Sequence, residues 1–159
     1  MGTVLRRDEL AKEMERLRGQ KKRVVTTNGC FDLLHVGHVR SLKSARELGD
    51  VLVVGLNSDD SVRRLKGSSR PLNCQDDRAE ILASLACVDY VHIFDEDTPV
   101  EFIKAVKPNV HAKGGDYSPS QLAETPVVES FGGRVHIIEL VPGRSTTGLV
   151  QKMAKQIEH

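Results

Sequence analysis

Two histidines three residues apart, His35-Val36-Gly37-His38, stand where a short β-branched run gives way to a helical pattern. Side chains at i and i+3 share one face of a helix. At a helix start they also stand beside unpaired backbone N–H groups and the positive end of the helix dipole. Such a pair converges on an anion, and Gly37 between them removes a side chain that would keep a phosphate at a distance. Two other readings fit the same residues. The histidines could simply cap a helix, or Cys30, His35 and His38 could hold a metal, although neither a fourth ligand nor a supporting outer layer is visible. The phosphate-loop patterns GxGxxG and GxxxxGK[ST] are both absent, so nucleotide binding has to rest on other residues.

Further along, Lys66 opens a polar Gly-, Ser- and Pro-containing segment running to Gln75 (KGSSRPLNCQ). A long cation on such a loop can swing over a phosphate and leave again, and this is the segment expected to be mobile. Arg64, just before it, and Arg70, within it, are weaker candidates. Arg78 follows Asp76-Asp77 at a helix start, where a cation opposes the dipole and so invites an anionic partner. The alternative there is a surface ion pair with Asp76 or Glu80. Lys113-Gly114-Gly115-Asp116 follows a strand, and its glycines permit either close approach of a base and ribose or a plain turn. Arg144-Ser145-Thr146-Thr147 opens the last helical pattern, offering hydroxyls, N–H groups and a cation to β- and γ-phosphates; N-capping by Ser145 explains only the serine.

These residues need a frame. Val4, Leu5, Leu10, Met14 and Leu17 predict a leading helix over 4–19, closed by Gly19. Strands are expected at 23–28, 50–57, 89–94, 109–113 and 134–141, and helices at 36–48, 58–65, 76–86, 99–107 and 146–157. The segment DVLVVGLN is almost continuously apolar, as a strand covered on both faces would be. Strand and helix alternate throughout, which implies right-handed βαβ units. The expected fold is an α/β three-layer sandwich with a mostly parallel, Rossmann-like sheet of five strands. One domain is expected over 1–159, with a leading helix at 1–22 and the core at 23–159.

Composition narrows the function. The 159 residues are 39% hydrophobic and 28% charged, ordinary for a globular chain. With 23 basic and 22 acidic residues the net charge is +1, too little to hold nucleic acid or an anionic membrane without special geometry. Aromatic content of 4% with no Trp leaves few platforms for stacking single-stranded bases. The charged stretch from Met1 to Arg23 is neither a signal peptide nor a membrane span, so a cytoplasmic protein is expected. Cys30, Cys74 and Cys87 are odd in number and form no CxxC pair, which predicts reduced thiols.

The string Thr27-Asn28-Gly29-Cys30-Phe31-Asp32 with His35-Val36-Gly37-His38 resembles the first signature of the HxGH nucleotidyltransferases, in their cytidylyltransferase-like group. Asn57-Ser58-Asp59, Arg64-Leu65-Lys66-Gly67 with Arg70-Pro71, Asp77-Arg78, Lys113-Gly114-Gly115-Asp116-Tyr117 and Arg144-Ser145-Thr146-Thr147 follow in an order similar to that of the adenylyltransferases that activate D-glycero-D-manno-heptose 1-phosphate. The resemblance covers about residues 24 to 153.

It implies attack of an acceptor phosphate oxygen on the α-phosphate of a nucleoside triphosphate, ATP rather than CTP, with pyrophosphate leaving. Mg²⁺ is the implied cofactor, held mainly by the triphosphate. His35 and His38 are implied to donate hydrogen bonds to the pentacoordinate phosphate, with Lys66 as a further catalytic cation. Asn28, Gly29, Cys30 and Phe31 would contact the nucleotide, chiefly through backbone groups, together with Gly37, Lys113, Gly114, Asp116, Arg144, Ser145, Thr146 and Thr147. Asp32, Asn57, Lys66 and Arg78 would face the acceptor, Asp32 near the metal unless it merely caps the next turn.

The runner-up is a CTP-dependent enzyme acting on glycerol 3-phosphate, a phosphonate or another small phosphorylated alcohol. A non-catalytic nucleotide-binding module would be expected to have lost His35, His38 or Lys66, and all are present. Aminoacyl-tRNA synthetases share HxGH, but this length leaves no room for their additional modules. Related heptose-activating domains are often fused to a sugar kinase, so a stand-alone or excised domain is implied, and a homodimer is compatible with it.

Overall fold

The computed structural model describes residues 1–157. The chain runs β1 (Thr3–Val4), α1 (Arg7–Gly19), β2 (Val24–Gly29), α2 (Val36–Arg46), β3 (Val51–Asn57), α3 (Asp59–Lys66), α4 (Gln75–Ala83), β4 (Tyr90–Phe94), α5 (Val100–Val106), β5 (Val110–Gly114), α6 (Thr125–Ser130), β6 (Arg134–Ile138) and α7 (Thr146–Ile157), with a 3₁₀ turn at Pro119–Gln121. The strands form one sheet in the order β1-β4-β3-β2-β5-β6, and every neighbouring pair is parallel.

Alternation along the strands divides the core into two layers. Leu52, Val54 and Leu56 of β3 face Leu42 and Ala45 of α2 and Ala79 and Leu82 of α4. Val51 and Val53 point the other way, toward Leu10, Met14 and Leu17 of α1 and Phe102, Ile103 and Val106 of α5. Full burial of each such side chain is worth about 1.5–3 kcal/mol, so both layers hold the sheet. Every residue of β3 is buried, as its unbroken apolar run predicts.

Among the described residues the sheet has six strands where five are expected. The extra one, β1, lies at the edge, tied to the chain around β4 by Gly2 N–H to Ala83 O at 2.7 Å, Thr3 N–H to Asp89 O at 2.9 Å and Leu5 N–H to Val91 O at 2.8 Å. Its two residues are too few to show a period of two, and Val4 and Leu5 are absorbed into the helical pattern behind them; the helix itself begins at Arg7. The short α6 and the 3₁₀ turn before it carry no periodicity that would announce them.

The chain leaves β2 toward β3 on one side and reaches β5 on the other. Helices that diverge in this way open a crevice beyond the carboxyl ends of β2 and β5. Gly55, at the centre of β3, shows how tightly the layers close. A Cβ there would lie 2.7 Å from the ring of fully buried Phe102. Gly55→Ala is expected to lower stability by roughly 1–3 kcal/mol, read from the urea midpoint.

Candidate active site

A cleft of about 520 Å³ occupies that crevice. Its floor is the end of β2 and the turn after it, Asn28 to Asp32, with Asn57 from the end of β3 and Lys113 from β5. His38 closes one side, Lys66 and Arg70 another, and Thr146 and Thr147 at the start of α7 a third.

His35 is the N-cap of α2, with extended backbone, and its Nδ1 accepts the Gly37 N–H at 3.1 Å. A neutral imidazole that accepts at Nδ1 carries its proton on Nε2, which leaves that N–H as the donor. The ring stacks on His38 with centroids 3.9 Å apart, and His38 meets the edge of Phe31 at 5.3 Å. A Cβ on Gly37 would come within 2.9 Å of the His35 ring and 3.3 Å of the Arg144 Cβ. The glycine therefore makes room for the folded-back histidine and for the segment carrying Arg144. Phe31 sits at φ 44°, a left-handed conformation costly for an aromatic residue, and its ring covers Gly29.

Burial, followed by the neighbouring His35 and Lys66, pushes the His38 pKa down to about 4. Burial and then Arg144 lower His35 as well. Both rings are neutral at pH 7, beside cations that draw an anion in. Burial pushes the Cys30 thiol up, against what a nucleophile or metal ligand needs. The side-chain atoms Asn28 Oδ1 and His38 Nδ1 are buried without a partner, two sites that a ligand could satisfy.

A family model described as cytidylyltransferase-like matches residues 26–157. The chain belongs to this family. The bifunctional protein HldE of Syntrophotalea carbinolica is 58% identical over 146 residues, covering 92% of this chain and 29% of that protein. The HldE of Geobacter sulfurreducens is 56% identical over 148 residues, 93% of this chain and 30% of that one. The chain thus spans under a third of the length of these curated relatives. Among solved structures, the lipopolysaccharide core biosynthesis protein from Thermoplasma volcanium superposes with a TM-score of 0.62 at 28% identity, over 76% of this chain and 97% of that one. A pantoate-beta-alanine ligase from Francisella tularensis, 16% identical with a TM-score of 0.66 over 92% of this chain and 69% of its own, shares the fold.

In this cytidylyltransferase-like chain several side chains stand differently from expectation. Arg78 does not face the acceptor space, nor does it pair on the surface with Asp76 or Glu80. It is 1% exposed and is not among the lining residues. Its guanidinium donates to Cys30 O at 2.6 Å, Asn57 O at 2.9 Å, Asn73 O at 3.0 Å and Asp59 Oδ1 at 2.7 Å. The reason is the position of the first turn of α4, which lies under the loops and not at the rim.

Asp32 lines the cleft, but its carboxylate accepts the Leu72 and Asn73 N–H groups at 2.8 and 3.0 Å and Arg70 Nη1 at 2.9 Å. Burial pushes its carboxyl up, and these donors outweigh burial to hold it below the ordinary range. The 66–75 segment is therefore anchored at its centre by Asp32. Ser145 accepts the Gly148 N–H at 3.0 Å, the capping role, and neither it nor Arg144, Gly114 or exposed Asp116 lines the cleft.

Sequence reasoning missed Glu124, buried just ahead of α6. His111, with Nε2 3.8 Å from its Oε1, and Lys113, with Nζ at 3.3 Å, hold its carboxyl down to about 2 against burial. It thereby fixes Lys113 at the cleft. No local pattern announces this, because Glu124 and Lys113 are joined by an irregular stretch.

Arg78→Met strips four acceptors of their donor and is expected to cost on the order of 3 kcal/mol in chemical unfolding, whereas exposed Lys66→Ala should stay within about 0.5 kcal/mol. His38 titrates near 4 when folded against 6.5 ordinarily, so the unfolded chain binds the extra proton and stability falls as pH drops from about 6.5 toward 4. His35, His92 and His111 are lowered too and act in the same direction. Calorimetric midpoints should decline across pH 6.5 to 4.5, and His38→Asn should flatten that slope.

Proposed function

We propose that this chain transfers the adenylyl group of ATP to the phosphate of a sugar phosphate, D-glycero-D-manno-heptose 1-phosphate, and releases pyrophosphate. The observation that carries the reading is the stacked, neutral His35–His38 pair at the start of α2: His38 lines one cleft with Lys66, Lys113 and the two threonines of α7, and His35 stacks behind it without lining the cleft. An acceptor phosphate oxygen, already ionised, attacks the α-phosphorus; the new O–P bond forms as the bond to the bridging oxygen of pyrophosphate breaks. No proton has to be removed from the nucleophile, so neutral histidines suit the task as hydrogen-bond donors to the equatorial oxygens, His35 through Nε2–H. Thr146 and Thr147 place hydroxyls and free N–H groups of a helix start against the leaving phosphates. Lys66, at the end of α3, can reach across the cleft, and Glu124 holds Lys113 in place.

Mg²⁺ would supply charge neutralisation carried on the triphosphate. Among the described residues no three His, Cys, Asp or Glu side chains converge into a cage, and of the cleft carboxylates Asp32 is engaged by the loop and Asp97 by Arg64 at 2.8 Å. The similarity to HldE proteins, named as bifunctional, supports one of two activities residing in this segment. A cytoplasmic setting matches the triphosphate substrate, and among the described residues no helix is long and apolar enough to cross a membrane. Leu149, Met153 and Ile157 expose an apolar stripe along α7 that supports pairing of two copies. The family description favours a second reading, CTP with glycerol 3-phosphate or a phosphonate as acceptor.

Pyrophosphate release from ATP is expected only when heptose 1-phosphate and Mg²⁺ are both present; release without an acceptor would mean hydrolysis, and preference for CTP with a small phosphorylated alcohol would support the second reading. His35→Ala and His38→Ala should each lower turnover by about 10²-fold or more with a smaller effect on nucleotide affinity.

A further inference from the structure

At the opposite end of the sheet, where β2, β5 and β6 begin, a second concavity of about 710 Å³ opens between the ends of α1, α5 and α6. Arg18, Lys21, Lys22, Arg23, Lys107 and Arg134 line it, all exposed, and among the described residues no carboxylate does. Asp50, which accepts the Arg23 N–H at 2.7 Å, lies outside the lining. Among the described residues none of the six forms an ion pair, although Arg6, Arg7, Arg16, Arg46 and Arg63 each find a carboxylate elsewhere. The active-site cleft, by contrast, balances Lys66, Arg70 and Lys113 with Asp32 and Asp97.

Helix ends explain part of this concentration. Three helices finish here, and each C-terminus presents about half a negative charge, or about −1.5 in all. Arg18 answers one of them directly, donating to Val106 O at 3.1 Å. Six cations leave about four and a half positive charges unanswered, in a chain whose net charge is only +1. Backbone conformation supplies a second, independent sign. Lys21 (φ 56°) just beyond α1 and Lys107 (φ 51°) at the end of α5 occupy the left-handed position where glycine relaxes a helix end. Keeping a lysine at both positions, despite the strain, presents two ammonium groups to the same hollow.

We propose that this concavity is a second anion-binding site, distinct from the active-site cleft and built for a small molecule carrying two or more phosphate groups. Its volume lies in the range of small-molecule sites. Long lysines and forked arginines can each meet a separate phosphate oxygen, so a monoanion would leave most of the charge unanswered. Phe131, 40% exposed with the Lys107 ammonium 5.5 Å above its ring, offers a flat apolar wall for the rest of such a ligand. The site stands whether or not the proposed transfer reaction is correct.

The test is a titration of the full chain with inorganic tripolyphosphate, followed amide by amide by NMR. Amides of Arg18 to Arg23, Lys107 and Gly132 to Arg134 should shift saturably. The Lys22→Ser/Arg134→Ser variant should raise the midpoint at these amides at least tenfold while any shifts at Asn28 to Asp32, Thr146 and Thr147 keep theirs. Lys21→Gly separates a ligand role from a structural one: relief of the left-handed strain should raise the ligand-free melting temperature while tripolyphosphate binding weakens. Shifts confined to the active-site cleft, or a midpoint unchanged in the double variant, would overturn the proposal. So would amides in the hollow that respond to protein concentration and not to tripolyphosphate, since the face would then be a contact between copies.

Discussion

One buried guanidinium joins the pieces of the active-site cleft. Arg78 binds the backbone of the turn after β2 through Cys30 O, the end of β3 through Asn57 O, the chain before α4 through Asn73 O, and α3 through Asp59. Arginine's planar fork serves this purpose because four donors leave one centre in fixed directions. A buried cation of this kind is costly to desolvate and is retained only where its bonds are all made. The carbonyls it collects belong to the turn after β2, the end of β3 and the α3–α4 segment, so the geometry of the cleft depends on several connections at the carboxyl end of the sheet.

Asp32 works beside it as the anionic counterpart. By accepting two backbone N–H groups and Arg70, it ties the polar segment that follows α3 to the turn that follows β2. Thr146 reaches the same neighbourhood from α7, donating to Leu33 O at 3.4 Å. Within this frame the histidine pair can be both half-buried and uncharged. A stacked pair of imidazolium ions would repel itself and the neighbouring lysine; two neutral rings cost little and still donate. The site therefore keeps its positive charge on Lys66 at a wall and Lys113 in the floor, and its hydrogen-bond donors near the proposed reaction centre.

The two ends of the parallel sheet differ in electrostatic character. At the carboxyl end, loops bring carboxylates against the cations and the charge is nearly balanced. At the amino end, the lysines and arginines that line the hollow between the ends of α1, α5 and α6 form no ion pair among the described residues. A parallel sheet with helices packed on it makes this asymmetry natural, because the helix dipoles run in one direction and gather negative poles where the strands begin. The excess beyond those poles is particular to this chain.

Much of the fold can be read from the sequence because its signals are local. The apolar run of β3, the alternation of strand and helix, and the spacing of Leu10, Met14 and Leu17 all act within one element, and so does the His35-Val36-Gly37-His38 turn. The cytidylyltransferase-like character is legible for the same reason: its motifs lie in the turns that follow strands. Only the tertiary structure decides what each charged side chain does there. Arg78 and Asp32 read as ligands for a substrate because a charge beside a turn looks available, yet apart from Asn73 O, five residues from Arg78, the partners of their side chains lie 19 to 48 positions away in the chain. Glu124 is silent in the sequence since its contact with Lys113 crosses an irregular stretch, and β1 is silent since two residues pair only because an edge happens to be open beside them. Short-range pattern determines the elements and the chemistry at their ends; which charges remain free for a ligand is settled by burial and by partners distant in sequence, which no local pattern encodes.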